Sequence, residues 1–219
     1  MRSGICYIFG ASDFSGRMLP PECGDYVIAA DGGYAHLSSL GIVPDLVVGD
    51  FDSLGDTPDH PHILRHPVEK DDTDTMLAVK TGLELGFREF LIYGGLGGQR
   101  LDHTIANLQT LSYIAGCGGR GYLLDDNCVI TAVKNGTLRF SPRARGTLSV
   151  FCLGADAEGV LLTGLKYPLS GATLTHAFPL GVSNSFTGAE AAVTVTQGTV
   201  TVMWEKDISY CLDFSRAGH

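Results

Sequence analysis

The chain has 219 residues, of which 44% are hydrophobic, so it can form one large domain or two small ones around a buried core. Its formal net charge of −9 at pH 7 argues against nucleic acid as a partner, because no basic face is available to displace counterions from a phosphate backbone. No apolar stretch has the length of a transmembrane span, and the apolar run near residue 5 is too short for a signal peptide. We therefore expect a cytoplasmic protein that does not bind a membrane.

Six cysteines are scattered along the chain without the Cys-x-x-Cys spacing of a metal site. Several of them lie in apolar, strand-like runs. We expect buried, reduced thiols rather than a disulfide framework. The six are Cys6, Cys23, Cys117, Cys128, Cys152 and Cys211.

Short apolar strands alternate with helical segments in the first half of the chain. The predicted strands are Ile5–Phe9, Tyr26–Ala30, Leu46–Val48, Phe90–Tyr93 and Tyr122–Leu124. The predicted helices are Tyr34–Leu40, Thr73–Leu85 and Asp102–Ala115, and in the third the apolar residues Ile105, Leu108 and Leu111 fall on one face. This alternation predicts an α/β domain over residues 1–126, with a doubly wound, mostly parallel sheet.

Strand-like runs follow one another without helical spacers after residue 126, separated by glycines and by the hairpin signal Asn135-Gly136. The pattern predicts an all-β domain over residues 127–219, with the antiparallel strands of a small sandwich. The predicted strands are Cys128–Val133, Thr137–Phe140, Thr147–Leu153, Val160–Leu165, Ala191–Thr196 and Thr199–Trp204.

Aspartates gather just after the predicted strands of the first half. They occur in Asp31-Gly32-Gly33, Asp50-Phe51-Asp52, Asp71-Asp72-Thr73-Asp74 and Arg100-Leu101-Asp102. Two carboxylates 4 Å apart repel each other by about 1 kcal/mol in water and about 4 kcal/mol at an effective dielectric constant of 20. A fold that brings them together needs a cation, and oxygen ligands alone favour a hard ion such as Mg²⁺. Helix capping would explain Asp31, and one or two of the acids at 71–74, without any metal.

A glycine-rich turn over residues 94–100 ends in Arg100. It fits neither the G-x-G-x-x-G nor the Walker A pattern, yet a generic turn needs only one or two of its four glycines. Backbone N–H groups beside a guanidinium suit a phosphate. Carboxylates, a hard metal and this turn together predict metal-dependent chemistry on a nucleotide.

With these motifs in order, the chain resembles the bacterial thiamine pyrophosphokinases. The matching segments are 31–33, 44–53, 70–74, 94–103 and, in the β-rich half, 181–185, so the resemblance covers nearly the whole chain. It implies a homodimer with sites at the subunit interface. It also implies transfer of the diphosphate of ATP to the hydroxyl of thiamine, with Mg²⁺ as the cofactor and AMP as the second product.

The resemblance also assigns roles to individual residues. The implied metal ligands are Asp50, Asp52 and Asp74, and these three with Arg100 and Asp102 form the catalytic set. The implied ATP-binding residues are Asp31, Gly32, Gly33, Gly95, Gly97, Gly98 and Arg100. The implied substrate-binding residues are Lys70, Asp71, Ser183, Asn184 and Ser185, the last three in a loop between strands.

Some members of the family place a tryptophan on the last strand to stack on thiamine. Here that position is close to Thr201, and a shift of odd parity turns Trp204 to the other face of the strand, so we do not assign Trp204 to the pocket. Three alternatives remain open. They are a diphosphokinase acting on a pterin alcohol, a metal phosphohydrolase, and a non-catalytic regulator that binds a nucleotide or thiamine.

Overall fold

The computed structural model describes residues 2–49, 60–65, 72–205 and 207–216, and the chain divides into two compact units, Met1–Asp126 and Asn127–His219. The first unit contains six strands and three helices among its described residues. They are β1 (Ile5–Phe9), β2 (Tyr26–Ala30), α1 (Gly33–Ser39), β3 (Leu46–Gly49), β4 (Ile63–Arg65), α2 (Asp74–Glu84), β5 (Glu89–Tyr93), α3 (Leu101–Gly116) and β6 (Arg120–Leu124). Strand β4 is too short for its apolar pattern to be recognised in the sequence.

The six strands form a sheet in the order β6-β5-β1-β2-β3-β4, and the neighbouring strands pair in parallel. All five residues of β1 are buried, as expected for a central strand that is covered on both faces. The chain builds the sheet outward from β1 to β4 and then returns to place β5 on the other side of β1. In open α/β sheets, ligands bind outside the carboxyl ends of the strands at such a reversal, which lies here between β1 and β5.

Helix α3 buries a different face from the one that its apolar pattern predicts. Its buried residues are Asn107, Thr110, Leu111 and Ile114, whereas Ile105 is 54% exposed. The side-chain amide of Asn107 donates to the carbonyl oxygen of Gly95 over 2.8 Å, and this buried bond joins the helix to the loop after β5. Of the apolar face that carries Ile105, Leu108 and Leu111, Leu111 is therefore buried and Ile105 is exposed.

The described part of the second unit contains eight strands. They are β7 (Cys128–Lys134), β8 (Thr137–Phe140), β9 (Thr147–Phe151), β10 (Ala157–Thr163), β11 (Leu169–Leu174), β12 (Gly181–Ser185), β13 (Ala191–Thr194) and β14 (Thr199–Glu205). A short 3₁₀ helix spans Ile208–Tyr210. The strands pair antiparallel in the orders β12-β9-β14-β7 and β11-β10-β13-β8. At this level the predicted fold class is confirmed: a mostly parallel α/β sheet in one unit and antiparallel β structure in the other.

Trp204 lies in the core of the second unit. Its side chain is 1% exposed, its ring meets Phe140 edge-on with centroids 5.2 Å apart, and its indole N–H donates to the carbonyl oxygen of Asp207. Val200 and Val202, four and two residues before Trp204, are fully buried on the same face of β14. The alternation of the strand places Thr201 on the opposite face, so Trp204 is a core residue.

Candidate functional site

The loops after β1 and β5 leave the carboxyl edge of the sheet side by side. The N–H of Gly10 donates to the carbonyl oxygen of Tyr93 over 2.8 Å, and the N–H of Ser12 donates to that of Gly94 over 2.9 Å. These bonds continue the pairing of β1 with β5 beyond the ends of both strands. The edge predicted to carry the site therefore presents two loops that are held together by their backbones.

Glycines make the close approach at this edge possible. A Cβ on Gly94, whose φ is +59°, would clash with the carbonyl oxygen of Gly10, and one on Gly33 would clash with that of Phe9. A Cβ on Gly32 would lie 2.9 Å from the Cβ of Ala11. The 31–33 segment and the start of the glycine-rich turn thus both contact the loop after β1.

The glycines of the 94–100 turn have different surroundings. Gly95 is buried under Leu123, and its carbonyl oxygen accepts from Asn107. Gly97 and Gly98 are exposed, and both have φ of +72°. Consecutive backbone amides at such a turn can point together at an anion. Gly95 therefore anchors the turn, whereas Gly97 and Gly98 are the glycines that can reach a ligand.

Arg100 is engaged by Asp102. Its Nε lies 3.0 Å from Oδ1 and its Nη2 lies 2.7 Å from Oδ2, which gives a two-pronged ion pair with both side chains 64% exposed. Hydrogen bonding to the guanidinium lowers the pKa of Asp102 to about 2, and the same bonds raise the pKa of Arg100. A pair this exposed contributes little to stability, so Arg100 can change partner at little cost.

Asp74 is the first residue of α2. The capping role belongs to Thr73, whose hydroxyl accepts from the N–H of Met76 over 3.2 Å. Thr75 is buried, and its hydroxyl would lie 3.7 Å from a Cβ on Gly10, so the start of α2 also lies at the carboxyl edge of the sheet. Asp72 pairs with Lys80 over 2.6 Å instead of facing a ligand.

Asp31 has a left-handed backbone with φ of +49°, which is uncommon for a residue other than glycine. Its N–H donates to the carbonyl oxygen of Val48 over 2.8 Å, which ties the end of β2 to β3. The N-cap residue of α1 is Gly32, and no side-chain hydrogen bond caps this helix. The N-cap position of α1 therefore belongs to Gly32 and not to Asp31. Strained residues of this kind cluster at functional sites.

The remaining acidic residues of the predicted site lie outside the described residues. These are Asp50 and Asp52, with Lys70 and Asp71 among the substrate-binding residues. Strand β3 ends at the buried Gly49, so Asp50 follows it directly along the chain. Within the described ranges, no group of three or more His, Cys, Asp or Glu side chains gathers as a metal site. The metal ligands therefore stay a prediction.

The 183–185 segment is part of a strand, so the prediction that it forms a loop was wrong. It belongs to β12, which pairs with β9 through a register shift between Gly181 and Asn184. At this shift Ser183 has φ of +58°, and its N–H donates to the hydroxyl of Ser149 over 3.0 Å. The irregularity bends the strand locally, which is why the sequence does not show the alternation of a regular strand.

The Asn184 side chain is buried and bonds to the backbone of its own unit. Its Oδ1 accepts from the N–H groups of Tyr167 and Ser185, each over 2.9 Å, and its Nδ2 donates to the carbonyl oxygen of Tyr167 over 2.6 Å. The backbone N–H of Lys166 adds a bond to the carbonyl oxygen of Ser185. Asn184 therefore holds the 166–167 segment, whereas Ser183 is exposed.

A cavity of about 190 Å³ opens in the second unit beside the start of β12. Its walls come from residues 150–153 and 174–181, and they include the rings of Phe151 and Phe178. His176 lies at this cavity, and its Nδ1 is 2.7 Å from Oδ1 of Asp156. Hydrogen bonds from the backbone and side chain of His176 lower the pKa of Asp156. Apolar walls beside a carboxylate can receive a cationic aromatic molecule.

Sequence reasoning missed the loop after β1. Ser12, Asp13 and His36 all take part in this edge, since the ring Nε2 of His36 lies 2.9 Å from the carbonyl oxygen of Ser12 and Asp13 bonds to the glycine-rich turn. The signal was available, because Gly10-Ala11-Ser12-Asp13 follows a buried strand in the same way as the motifs that were recognised.

Comparison with known proteins matches each of the two units to a domain of the same protein family. Residues 22–116 match the family model for the thiamin pyrophosphokinase catalytic domain, and residues 136–200 match that for the thiamin pyrophosphokinase vitamin B1 binding domain. The chain is 27% identical to a thiamine pyrophosphokinase of Bacillus subtilis over 187 residues, which are 82% of this chain and 87% of that protein.

Solved structures resemble the whole chain. A thiamine pyrophosphokinase from Bacillus subtilis has a TM-score of 0.79 at 24% identity, with 93% of this chain and 100% of that one covered. A thiamin pyrophosphokinase family protein from Enterococcus faecalis has a TM-score of 0.78 at 28% identity, with 94% and 100% covered. The yeast thiamin pyrophosphokinase has a TM-score of 0.71 at 16% identity, with 96% and 89% covered.

Proposed function

Since the chain belongs to the thiamin pyrophosphokinase family, we propose that it is a thiamine diphosphokinase, which transfers the diphosphate of ATP to the hydroxyl of thiamine and releases AMP. The observation that carries this conclusion is the match of both family domains, in order, to the two units of the chain. A match to one half alone would leave the second substrate open. The two together support a diphosphotransferase acting on thiamine.

We place the phosphates of ATP at the carboxyl edge of the first sheet. The exposed Gly97 and Gly98 offer backbone N–H groups, and Arg100 offers a guanidinium fork that can exchange Asp102 for a phosphate. Attack of an alcohol on a phosphorus atom needs little covalent chemistry from the protein. The main tasks are therefore to position the two substrates and to neutralise charge.

We further propose that the reaction uses Mg²⁺ held by Asp50, Asp52 and Asp74. Carboxylate oxygens are the donors that this ion prefers, and the partly exposed Asp74 stands at the same edge as the glycine-rich turn. When bound, the ion would neutralise charge on the phosphates. An aspartate can accept the proton of the thiamine hydroxyl. Besides the three proposed metal ligands, Asp102 and Asp71 are candidates for this role.

We assign thiamine binding to the second unit, whose two antiparallel sheets we take to form a sandwich. The contact of Phe140 in one sheet with Trp204 in the other supports that arrangement. The exposed Ser183 and the apolar cavity before it can supply a hydroxyl and aromatic walls to thiamine. The contacts of Asn184 favour an indirect role, in which it holds the 166–167 segment.

We propose that the working unit is a cytoplasmic homodimer. Large apolar side chains are exposed in both units, among them Leu101 at 70%, Ile105 at 54% and Phe178 at 66%, and a second copy of the chain would cover such groups. The six cysteines are all free, which fits a reducing compartment; four of them are buried as predicted, whereas Cys23 and Cys117 are exposed. Within the described ranges, no helix is long and apolar enough to cross a membrane.

The decisive assay follows AMP and thiamine diphosphate together, starting from ATP and thiamine with Mg²⁺. Equal amounts of both products support the proposal. Turnover of a pterin alcohol in place of thiamine would favour the alternative diphosphokinase. Release of inorganic phosphate from ATP alone would favour a phosphohydrolase. Binding of thiamine or ATP without any product would favour a regulator.

A second experiment tests whether active sites are shared between chains. A chain carrying Asp52→Asn is mixed with a chain carrying Ser183→Trp, which blocks the exposed edge of β12. If each site uses one unit from each chain, one of the two sites in a heterodimer is intact and part of the activity returns. Verified heterodimers without any recovery would exclude shared sites, and an active monomer would exclude the need for a dimer.

A further inference from the structure

The loop after β1 carries a carboxylate that is not among the proposed catalytic groups. Asp13 is exposed, and its Oδ2 accepts from the backbone N–H of Gly98 over 3.1 Å. A Cβ built on Gly97 would lie 3.5 Å from the same oxygen. One carboxylate oxygen therefore lies against both of the exposed glycines of the turn.

The backbone next to Asp13 is held from two directions. The N–H of Ser12 donates to the carbonyl oxygen of Gly94, and the ring of His36 contacts the carbonyl oxygen of Ser12 over 2.9 Å. The 10–13 segment thus bonds to the glycine-rich turn at its start through Ser12 and near its end through Asp13. This anchoring of the backbone brings the carboxylate to the turn, while the exposed side chain of Asp13 can still turn away.

Two groups of the turn that suit a phosphate are bonded to carboxylates of this same chain. The N–H of Gly98 bonds to Asp13, and the guanidinium of Arg100 bonds to Asp102. Gly97 and Gly98 have consecutive positive φ angles, and successive backbone N–H groups in such a turn can form a concavity that binds an anion. A carboxylate oxygen can occupy that position in the same way as a phosphate oxygen.

We propose that Asp13 is a positioning residue that fills the anion position of the turn while the nucleotide is absent, and that a phosphate oxygen of ATP replaces it. Two anions cannot share the Gly98 N–H without strong repulsion, so binding of the phosphate requires the carboxylate to leave. Asp13 keeps the turn folded at the expense of affinity for ATP. This inference rests on the proposed binding of ATP at this edge.

The test compares ATP binding to the full-length wild type and to Asp13→Asn by calorimetry, at equal Mg²⁺ and without thiamine. The asparagine can still accept from Gly98, but as a neutral acceptor it competes less well than a carboxylate. We expect the variant to bind ATP about three- to tenfold more tightly. The matched control is Glu84→Gln, which removes the same charge from the exposed last residue of α2, roughly 15 Å along the helix from Asp74.

Tighter binding by Asp13→Asn alone supports the proposal. Unchanged or weaker binding overturns it, and so does an equal gain in Glu84→Gln, since that would be a general effect of charge. The wild type gives an independent measurement that needs no variant: ATP should shift the amide resonance of Gly98, and a resonance that stays in place as ATP saturates overturns the proposal. A wild type that does not bind ATP at all would instead contradict the proposed function.

Discussion

Truncation of Asn184 should destabilise the second unit strongly, although the residue was first predicted to bind substrate. Asn184→Ala removes three hydrogen bonds, two to Tyr167 and one to Ser185, from a site where the asparagine is 4% exposed. Each bond contributes about 0.5–1.5 kcal/mol net. Tyr167 is 59% exposed, so water can satisfy part of its backbone after the change. We therefore expect a loss of about 2–4 kcal/mol in the free energy of unfolding.

Urea denaturation can measure this loss of stability specifically in the second structural unit of the chain. Trp204 is the single tryptophan of the chain and lies in the core of the second unit, so its fluorescence reports the unfolding of that unit. The matched control is Ser183→Ala at the adjacent, exposed position, which should change the unfolding free energy by less than about 0.5 kcal/mol. Asn184→Asp keeps both acceptor bonds but sets a carboxylate oxygen against the Tyr167 carbonyl, so it should also destabilise.

The kinetics of the same variants separate positioning from direct contact. If Asn184 acts through the 166–167 segment, the loss of stability in Asn184→Ala should accompany any rise in the KM for thiamine. A stable Asn184→Ala enzyme, within about 0.5 kcal/mol of the wild type, would refute the structural reasoning. If such an enzyme also had a raised KM, the residue would be a direct ligand of thiamine.

Three further predictions concern the first unit. Arg100→Lys keeps the charge but loses the planar fork, so it should raise the KM for ATP and leave the melting temperature unchanged; a fully active variant with a lower melting temperature would mean that the residue is structural. Asp52→Asn or Asp74→Asn should lower turnover at least about a hundredfold at saturating Mg²⁺, without loss of folding, and near-normal turnover of both would contradict the assigned metal site. The carboxyl of Asp102 should titrate near pH 2 in an NMR experiment, because Arg100 depresses its pKa to about that value. Its pairing with Arg100 should therefore be complete at pH values above the ordinary pKa of an aspartate, and it should be lost as the pH falls through the lowered pKa. A titration near pH 4 would show that the pair does not form in solution.

The sequence by itself determined the class of fold and the edge of the sheet at which the candidate motifs meet. Buried runs such as Ile5–Phe9 are local features, and their alternation with helical periodicity implies a parallel sheet before any contact is known. Because parallel strands end at one edge, the motifs after Ala30 and Tyr93 could be expected to meet there. The structure brings both to the loop after β1.

Only the tertiary structure decided which partner each side chain takes. Helical periodicity placed Ile105 on the same face as Leu111, yet α3 leaves Ile105 exposed and buries Asn107, whose side chain bonds to Gly95, twelve residues away. The sequence of β12 does not show its pairing with β9, because the register shift at Ser183 interrupts the alternation.

The same limit applies to the glycine-rich turn over residues 94–100. Asp13 meets Gly98 across 85 residues of chain, and no local pattern records that bond. Periodicity and turn chemistry act over a few residues, so they determine elements and their ends. Hydrogen bonds between distant segments depend on how those elements pack, and they decided which groups of the site are already paired before a substrate binds.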